Sequence, residues 1–272
     1  MPFRSLKSSS GITCRSERSA ASTVSPKTLL VNIKLTIEYD GTRYHGWQIQ
    51  PNAESIQAIL ERAVSTFLGT PTCLTAAGRT DAGVHALGQV ANFYCVQEPD
   101  LVRLQRGLNA LTPEEIVIKR VESVADSFDA RRDARSRVYQ YRIWNAPFPS
   151  AFHLRYSWHV YDKLDLLPMS DAVRALEGEH DFSFLASGCD AVHAIRKICR
   201  NSLDQEGDFV LYTIEATAFL RHMVRNIIGT LVEVGRGERP PEDFVSLLQA
   251  RDRARAGPTA PARGLFLVEV KY

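Results

Sequence analysis

From Leu29 onward, apolar and polar positions fall into a readable order. Residues 29–39 end in a period-two alternation, which predicts a half-buried strand turned by Asp40-Gly41. Over residues 55–68 the period changes. Ile56, Ile59, Leu60, Ala63, Val64 and Phe67 recur at helical spacing, with Gly69 placed to end the helix. A short strand is predicted before Gly78 and a longer one over residues 89–96. Leu101, Leu104 and Leu108 after Asp100 predict a short helix, and residues 116–121 a further strand.

The second half opens with a strand over residues 138–144 and a helix capped by Ser170. Strands over 195–203 and 209–216 precede a helix over 219–234, where Met223, Val224, Ile227, Ile228, Leu231 and Val232 form the apolar face and Gly235 the stop. Pro240-Pro241 opens another helix, and residues 265–270 make the last strand. Single helices between alternating strands point to the α+β class, a mixed, largely antiparallel sheet with one face covered. The strand–helix–strand order of the first half is loosely echoed in the second. That predicts two related subdomains around a shared sheet, residues 31–125 and 126–272. No G-x-G-x-x-G or Walker pattern opens a helix, so nucleotide-cofactor folds have no support.

Composition narrows the class further. A hydrophobic fraction of 44% with 24% charged residues belongs to a globular chain, not to a disordered or fibrous one. No apolar run approaches the ~18 residues of a membrane-spanning helix. The net charge of +2 is unevenly spread. Arg4, Lys7, Arg15, Arg18 and Lys27 face only Glu17 in residues 1–30, so the remainder is slightly acidic. Nucleic acid would therefore have to be held by local basic patches. The Ser-rich tail of residues 1–30 lacks apolar periodicity and is expected to be disordered. It fits either an unstructured extension or an organellar transit peptide. Cys14, Cys73, Cys95, Cys189 and Cys199 are odd in number and form no C-x-x-C pair. They argue against a disulfide framework or structural zinc and for a reducing, cytoplasmic setting.

Three segments carry candidate chemistry. In Ala77-Gly-Arg-Thr-Asp-Ala-Gly-Val-His-Ala86, two glycines bracket an Arg–Thr–Asp triplet between strands. Arg79 can sit on the same side as Asp81 and keep it ionised, which suits a nucleophile; a surface Asx-turn with an incidental ion pair fits equally. The second segment, residues 128–142, sets Arg131, Arg132, Arg135, Arg137 and Arg142 among aromatic residues, with Tyr139 and Tyr141 on one strand face. Guanidinium groups for phosphates and a ring for an unstacked base suit RNA; a solvated strand edge has the same composition. In the third, Arg221 and Arg225 share one helical stripe, where they either reach a phosphate or cover the edge of a core helix. The histidines show no metal-ligand spacing, so no metal is expected.

Gly78-Arg-Thr-Asp-Ala-Gly-Val-His85 with Gly88-Gln89-Val90 resembles the signature of the tRNA pseudouridine synthase A family. Four more blocks resemble it in order: Tyr39-Asp-Gly-Thr-Arg-Tyr-His-Gly-Trp-Gln48; Phe128-Asp-Ala-Arg131 with Tyr139-Gln-Tyr141; Phe219-Leu-Arg-His-Met-Val-Arg-Asn-Ile-Ile-Gly229; and Ala260-Pro-Ala-Arg-Gly-Leu-Phe-Leu-Val268. Gln140 departs from the family, which often has a basic residue there. The resemblance implies the pseudouridine-synthase fold, with two RRM- or ferredoxin-like halves and the active site in the cleft between them. It implies isomerisation of uridine at positions 38–40 of the tRNA anticodon stem-loop, with no cofactor or metal, by a homodimer that tRNA spans.

By the same resemblance Asp81 is the catalytic carboxylate, acting as nucleophile or as the base of a glycal route. Arg79 would orient it, and Tyr139 would stack on the uracil and help with proton removal from C5. Phe128, Asp129, Ala130, Arg131 and Arg132 would contact RNA, as would Asp190, Ala191, Val192, His193 and Ala194. Arg225, Leu265 and Phe266 would line the pocket. Two other classes compete. An RNA-binding protein without turnover would not need Asp81, and a nucleosidase would need two carboxylates about the scissile bond, where the loop has one.

Overall fold

β1 (Val31–Tyr39) follows its sequence pattern: Ile33, Leu35 and Ile37 are buried while Lys34, Thr36 and Glu38 are half-buried. Each fully buried side chain of this kind contributes about 1.5–3 kcal/mol through removal of apolar area from water. The computed structural model describes residues 30–183, 194–250 and 255–272. In it β1 belongs to a ten-stranded mixed sheet. The other elements are α1 (Ile56–Leu68), β2 (Thr75–Ala76), β3 (His85–Cys95), α2 (Leu101–Leu111), β4 (Ile116–Val124), β5 (Ser136–Trp144), β6 (Trp158–His159), α3 (Leu166–Arg174), β7 (Gly178–Asp181), β8 (Ile195–Glu206), β9 (Phe209–Ala216), α4 (Met223–Gly235), α5 (Asp243–Ala250) and β10 (Leu265–Lys271).

The main path through the sheet is β4-β1-β3-β10-β5-β9-β8-β7, with β2 on β3 and β6 on β5. Most pairs are antiparallel; β10 runs parallel to β3 and β6 parallel to β5. The last strand is therefore inserted between the two halves of the chain. Phe266 pairs with His85 on one side and Gln140 on the other, and Leu267 with Ala86 and Tyr139. This register brings the loop before β3 alongside the middle of β5, and the candidate site forms there.

Four expectations need correction. The α3 helix is capped by Asp165, whose carboxylate accepts from the Leu167 amide at 3.1 Å, and Ser170 lies inside it. Pro168 sits in the first turn, where its missing N–H costs nothing. The α4 helix begins at Met223, not at residue 219, because His222 adopts a left-handed backbone with φ 63°. Gly235 belongs to that helix. A Cβ there would lie 2.5 Å from Met169 Sδ, so the residue permits close packing of α3 on α4 and is not a left-handed stop. β3 also starts at His85, four residues earlier than expected. It is a central strand buried on both faces, and that removes the alternation that would have marked its start.

Candidate active site

The loop from Ala77 to Val84 is held by hydrogen bonds within it and to the segments around it. The Val84 amide donates to the Asp81 carbonyl at 3.1 Å, closing a turn with Gly83 in third position at φ 76°. A type II turn needs a positive φ there, so glycine is the residue that fits. The loop is anchored on the segment after β1. Trp47 N–H donates to Thr80 O at 3.1 Å, and Gly83 N–H to Tyr44 O at 3.2 Å. Beneath it, Thr80 Oγ1 and the Tyr39 hydroxyl are 2.8 Å apart, and Gln89 Nε2 donates to Gly78 O at 3.0 Å. Burial pushes the Tyr39 phenol up to about 12, so it serves as a neutral hydrogen-bonding group.

Asp81 emerges from this frame half-buried, its side chain 27% exposed. Arg225 Nη1 lies 3.2 Å from Oδ2, and His222 Nε2 lies 3.5 Å from the same oxygen. Both come from the start of α4, where the helix dipole also favours a carboxylate. Arg225 Nε donates to Ala260 O at 2.7 Å, and Ala260 N–H donates back to Arg225 O at 3.1 Å. The guanidinium thus ties the segment before β10 to Asp81. The expected Arg79–Asp81 pair does not form: Arg79 is exposed, and the ion-pair partners of Asp81 among the described residues are Arg225 and His222.

Tyr139 borders the carboxylate. It is buried, its ring meets Phe219 edge-on at 4.9 Å, and desolvation raises its phenol pKa, with Tyr39 and Asp81 adding to the shift. Burial thus favours the neutral phenol at Tyr139. Tyr141 shares the face but is sealed, its hydroxyl donating to Pro261 O at 2.7 Å. Leu265 pairs with Tyr141 and is also buried on this face. By the pleat, Phe266 faces the other way, stacked on His85 at 4.7 Å with Arg142 over its ring, so it does not line the site. His85 is buried with its Nδ1 3.0 Å from Asp40; desolvation lowers its pKa despite that carboxylate. A surface cavity of about 350 Å³ lies near Asp40, lined also by Thr42, Arg43, Glu115 and Arg155, and does not include Asp81.

The arginine-rich segment separates into two kinds of residue. Arg137 is not available to RNA. It donates to Ala77 O at 2.7 Å, Thr217 O at 2.8 Å, Arg131 O at 3.0 Å and Ala134 O at 3.1 Å, stapling the Asp81 loop to its neighbours. Arg131 and Arg132 are exposed. Their amides both donate to Asp129 Oδ1 at 2.9 Å, so Asp129 shapes the turn that presents them. Ala130 is buried, its N–H taken by Asn92 and its carbonyl by Tyr272, which leaves it nothing to offer RNA. Phe128 packs on Tyr272 at 4.9 Å, and its carbonyl accepts from Asn32 at 2.8 Å. Ala194 is buried with its carbonyl accepting from Phe182, while Asp190, Ala191, Val192 and His193 lie outside the described residues. Sequence reasoning missed His222, although it stands within the Phe219–Asn226 block, and the Asn32–Asn92 pair that holds Phe128 and Ala130.

Comparison with known proteins fits this geometry. A family model described as tRNA pseudouridine synthase matches residues 35–132 and 172–272, which include Asp81, Arg131, His222, Arg225 and β10. The chain is 46% identical over 242 residues to "tRNA pseudouridine synthase A" of Myxococcus xanthus, covering 88% of this chain and 91% of that protein. It is 44% identical over 241 residues to the protein of the same description from Syntrophotalea carbinolica, covering 88% and 96%. With that of Geotalea uraniireducens it shares 46% over 241 residues, covering 88% and 99%. A loop that presents one carboxylate to an arginine and a buried tyrosine thus lies within a match running along most of the chain. The chain belongs to the tRNA pseudouridine synthase family, whose members are isomerases.

Proposed function

We propose that this enzyme converts uridine to pseudouridine at positions 38–40 of the tRNA anticodon stem-loop, with Asp81 as the nucleophile. The observation that carries the reading is the Asp81 carboxylate, half-exposed and held by Arg225 at 3.2 Å beside the buried Tyr139. An oxygen of Asp81 attacks C1′ of the ribose, and the N1–C1′ electrons leave with the uracil. The uracil rotates, and C5 bonds to C1′ as the carboxylate departs. The C5 proton is then lost and N1 takes up a proton, so reactant and product are isomers.

The target nucleotide must leave its stack, at a cost of a few kcal/mol. Arg131 and Arg132, exposed on a turn shaped by Asp129, suit phosphates flanking the extruded base. Arg79, exposed on the catalytic loop, suits the same backbone and would steady the opened stem. Tyr139 offers its ring to the uracil as a neutral phenol, which leaves solvent to accept the C5 proton. The proposal includes a homodimer that shares one tRNA, a cytoplasmic setting and the two-subdomain division near residue 125.

The test is site mapping. Incubating the protein with an unmodified tRNA transcript carrying uridine at 38, 39 and 40 should yield pseudouridine there and nowhere else. Pseudouridine confined to another stem, or none at all, would overturn the assignment.

A further inference from the structure

His222 has a backbone that few side chains adopt. At φ 63° and ψ 2° it is the one non-glycine residue with positive φ among the described residues. A left-handed backbone crowds Cβ against the carbonyl, so glycine is usual where a chain must turn that way, and asparagine, aspartate and histidine are the other residues that enter it most readily, still at a cost. Nor is the strain offset by capping, because the His222 side chain makes no cap bond to α4. What the conformation does achieve is placement. It sets Nε2 3.5 Å from Asp81 Oδ2, on the oxygen that Arg225 binds at 3.2 Å. Among the described residues Asp81 Oδ1 receives no hydrogen bond. Strain held at a site of this kind is retained for what it positions.

We infer that His222 is a positioning residue for the reaction. Together with Arg225 it pins one carboxylate oxygen of Asp81 and leaves the other as the reacting atom. The inference rests on the reading of Asp81 as the catalytic group. Arg225 alone could rotate with the carboxylate about one contact; a second contact from the residue before the helix fixes the plane of the carboxylate. Reacting atoms held in a near-attack geometry gain in the turnover step and not in substrate binding.

The test compares His222→Gly, His222→Asn and Asp81→Asn, using the full chain and tRNA carrying 5-tritiated uridine. Glycine suits the left-handed backbone, so His222→Gly should melt no lower than wild type and keep its KM within about twofold, while kcat falls about tenfold or more. His222→Asn, also tolerant of that backbone, should lose kcat similarly. Added imidazole should restore part of the kcat of His222→Gly and none of that of Asp81→Asn. If His222→Gly turns over like wild type, or loses kcat only in step with its melting temperature and without imidazole rescue, the inference is wrong. If Asp81→Asn keeps full activity, the assignment of Asp81 is what fails.

Discussion

The carboxylate of Asp81 is bound by Arg225, 144 positions later in the chain, at 3.2 Å. Its sequence neighbour Arg79 stays in solvent. The same guanidinium donates to Ala260 O at 2.7 Å, so the placing of the Asp81 carboxylate and the seating of the segment before the last strand depend on one side chain. Arg225→Met should therefore lower kcat by about 10²–10³, the usual loss when a preorganised charge contact is removed. It should also destabilise the fold by about 1–3 kcal/mol, because Ala260 O loses its charged donor. Arg225→Lys keeps the charge without the fork and should fall between. Single-turnover kinetics with thermal melts measure both effects; an Arg225→Met enzyme of normal kcat would refute the contact's role.

The arginines of residues 131–137 should separate by experiment as they do in space. Arg137→Met leaves four carbonyls without their donor and should cost about 1–3 kcal/mol in a thermal or urea melt. Arg131→Ala and Arg132→Ala remove exposed groups and should leave stability within about 0.5 kcal/mol. Each should instead weaken tRNA binding and reduce the slope of log affinity against log salt by about one unit. Equal salt slopes for wild type and the Arg131,Arg132 double variant would contradict phosphate contact.

Gly46 supports the catalytic loop from below. It sits at φ 85°, and a Cβ there would come within 2.5 Å of Thr80 O, one residue from Asp81. Gly46→Ala should destabilise by about 1–3 kcal/mol from backbone strain and overlap together. Because the displaced backbone carries Asp81, kcat should fall more than tRNA affinity. Gly78→Ala is the control: its Cβ would meet open space, and the melting temperature should not change.

Alkaline pH should expose the buried phenols. Burial raises Tyr39 from 10.0 to about 12, and Tyr139, Tyr141 and Tyr212 shift the same way. Since these folded values exceed the unfolded one, the unfolded chain loses its phenolic protons first. The stabilisation is complete below about pH 10 and is lost as pH rises through the folded values. Absorbance titration of native protein near pH 11 should therefore show these four phenols protonated until the chain unfolds. Titration of all nine tyrosines together near pH 10 without unfolding would show that the phenols are not buried.

Much of the architecture was legible because strands such as β1 and β9 bury one face and so alternate. The start of β3 was not, since a strand covered on both faces loses that period. The Asp81 loop stood out by its glycines, yet the partner of Asp81 did not. Residues two apart are easy to pair on paper, whereas the Asp81–Arg225 contact exists only once α4 has docked beside the loop. The left-handed His222 was hidden for a related reason. Phe219 and Leu220 continue the apolar pattern of the helix, and nothing local marks a histidine as the residue that interrupts it. The arginine segment misled in composition: it mixes a staple with exposed groups, and hydrogen-bond partners alone tell them apart.

The most direct test of the central claim is tritium release from 5-tritiated uridine in tRNA by Asp81→Asn. The substitution keeps the shape of the side chain and removes the charge. The account predicts a folded protein that binds tRNA as wild type does and releases no tritium. Release at the wild-type rate would show that another group does the chemistry.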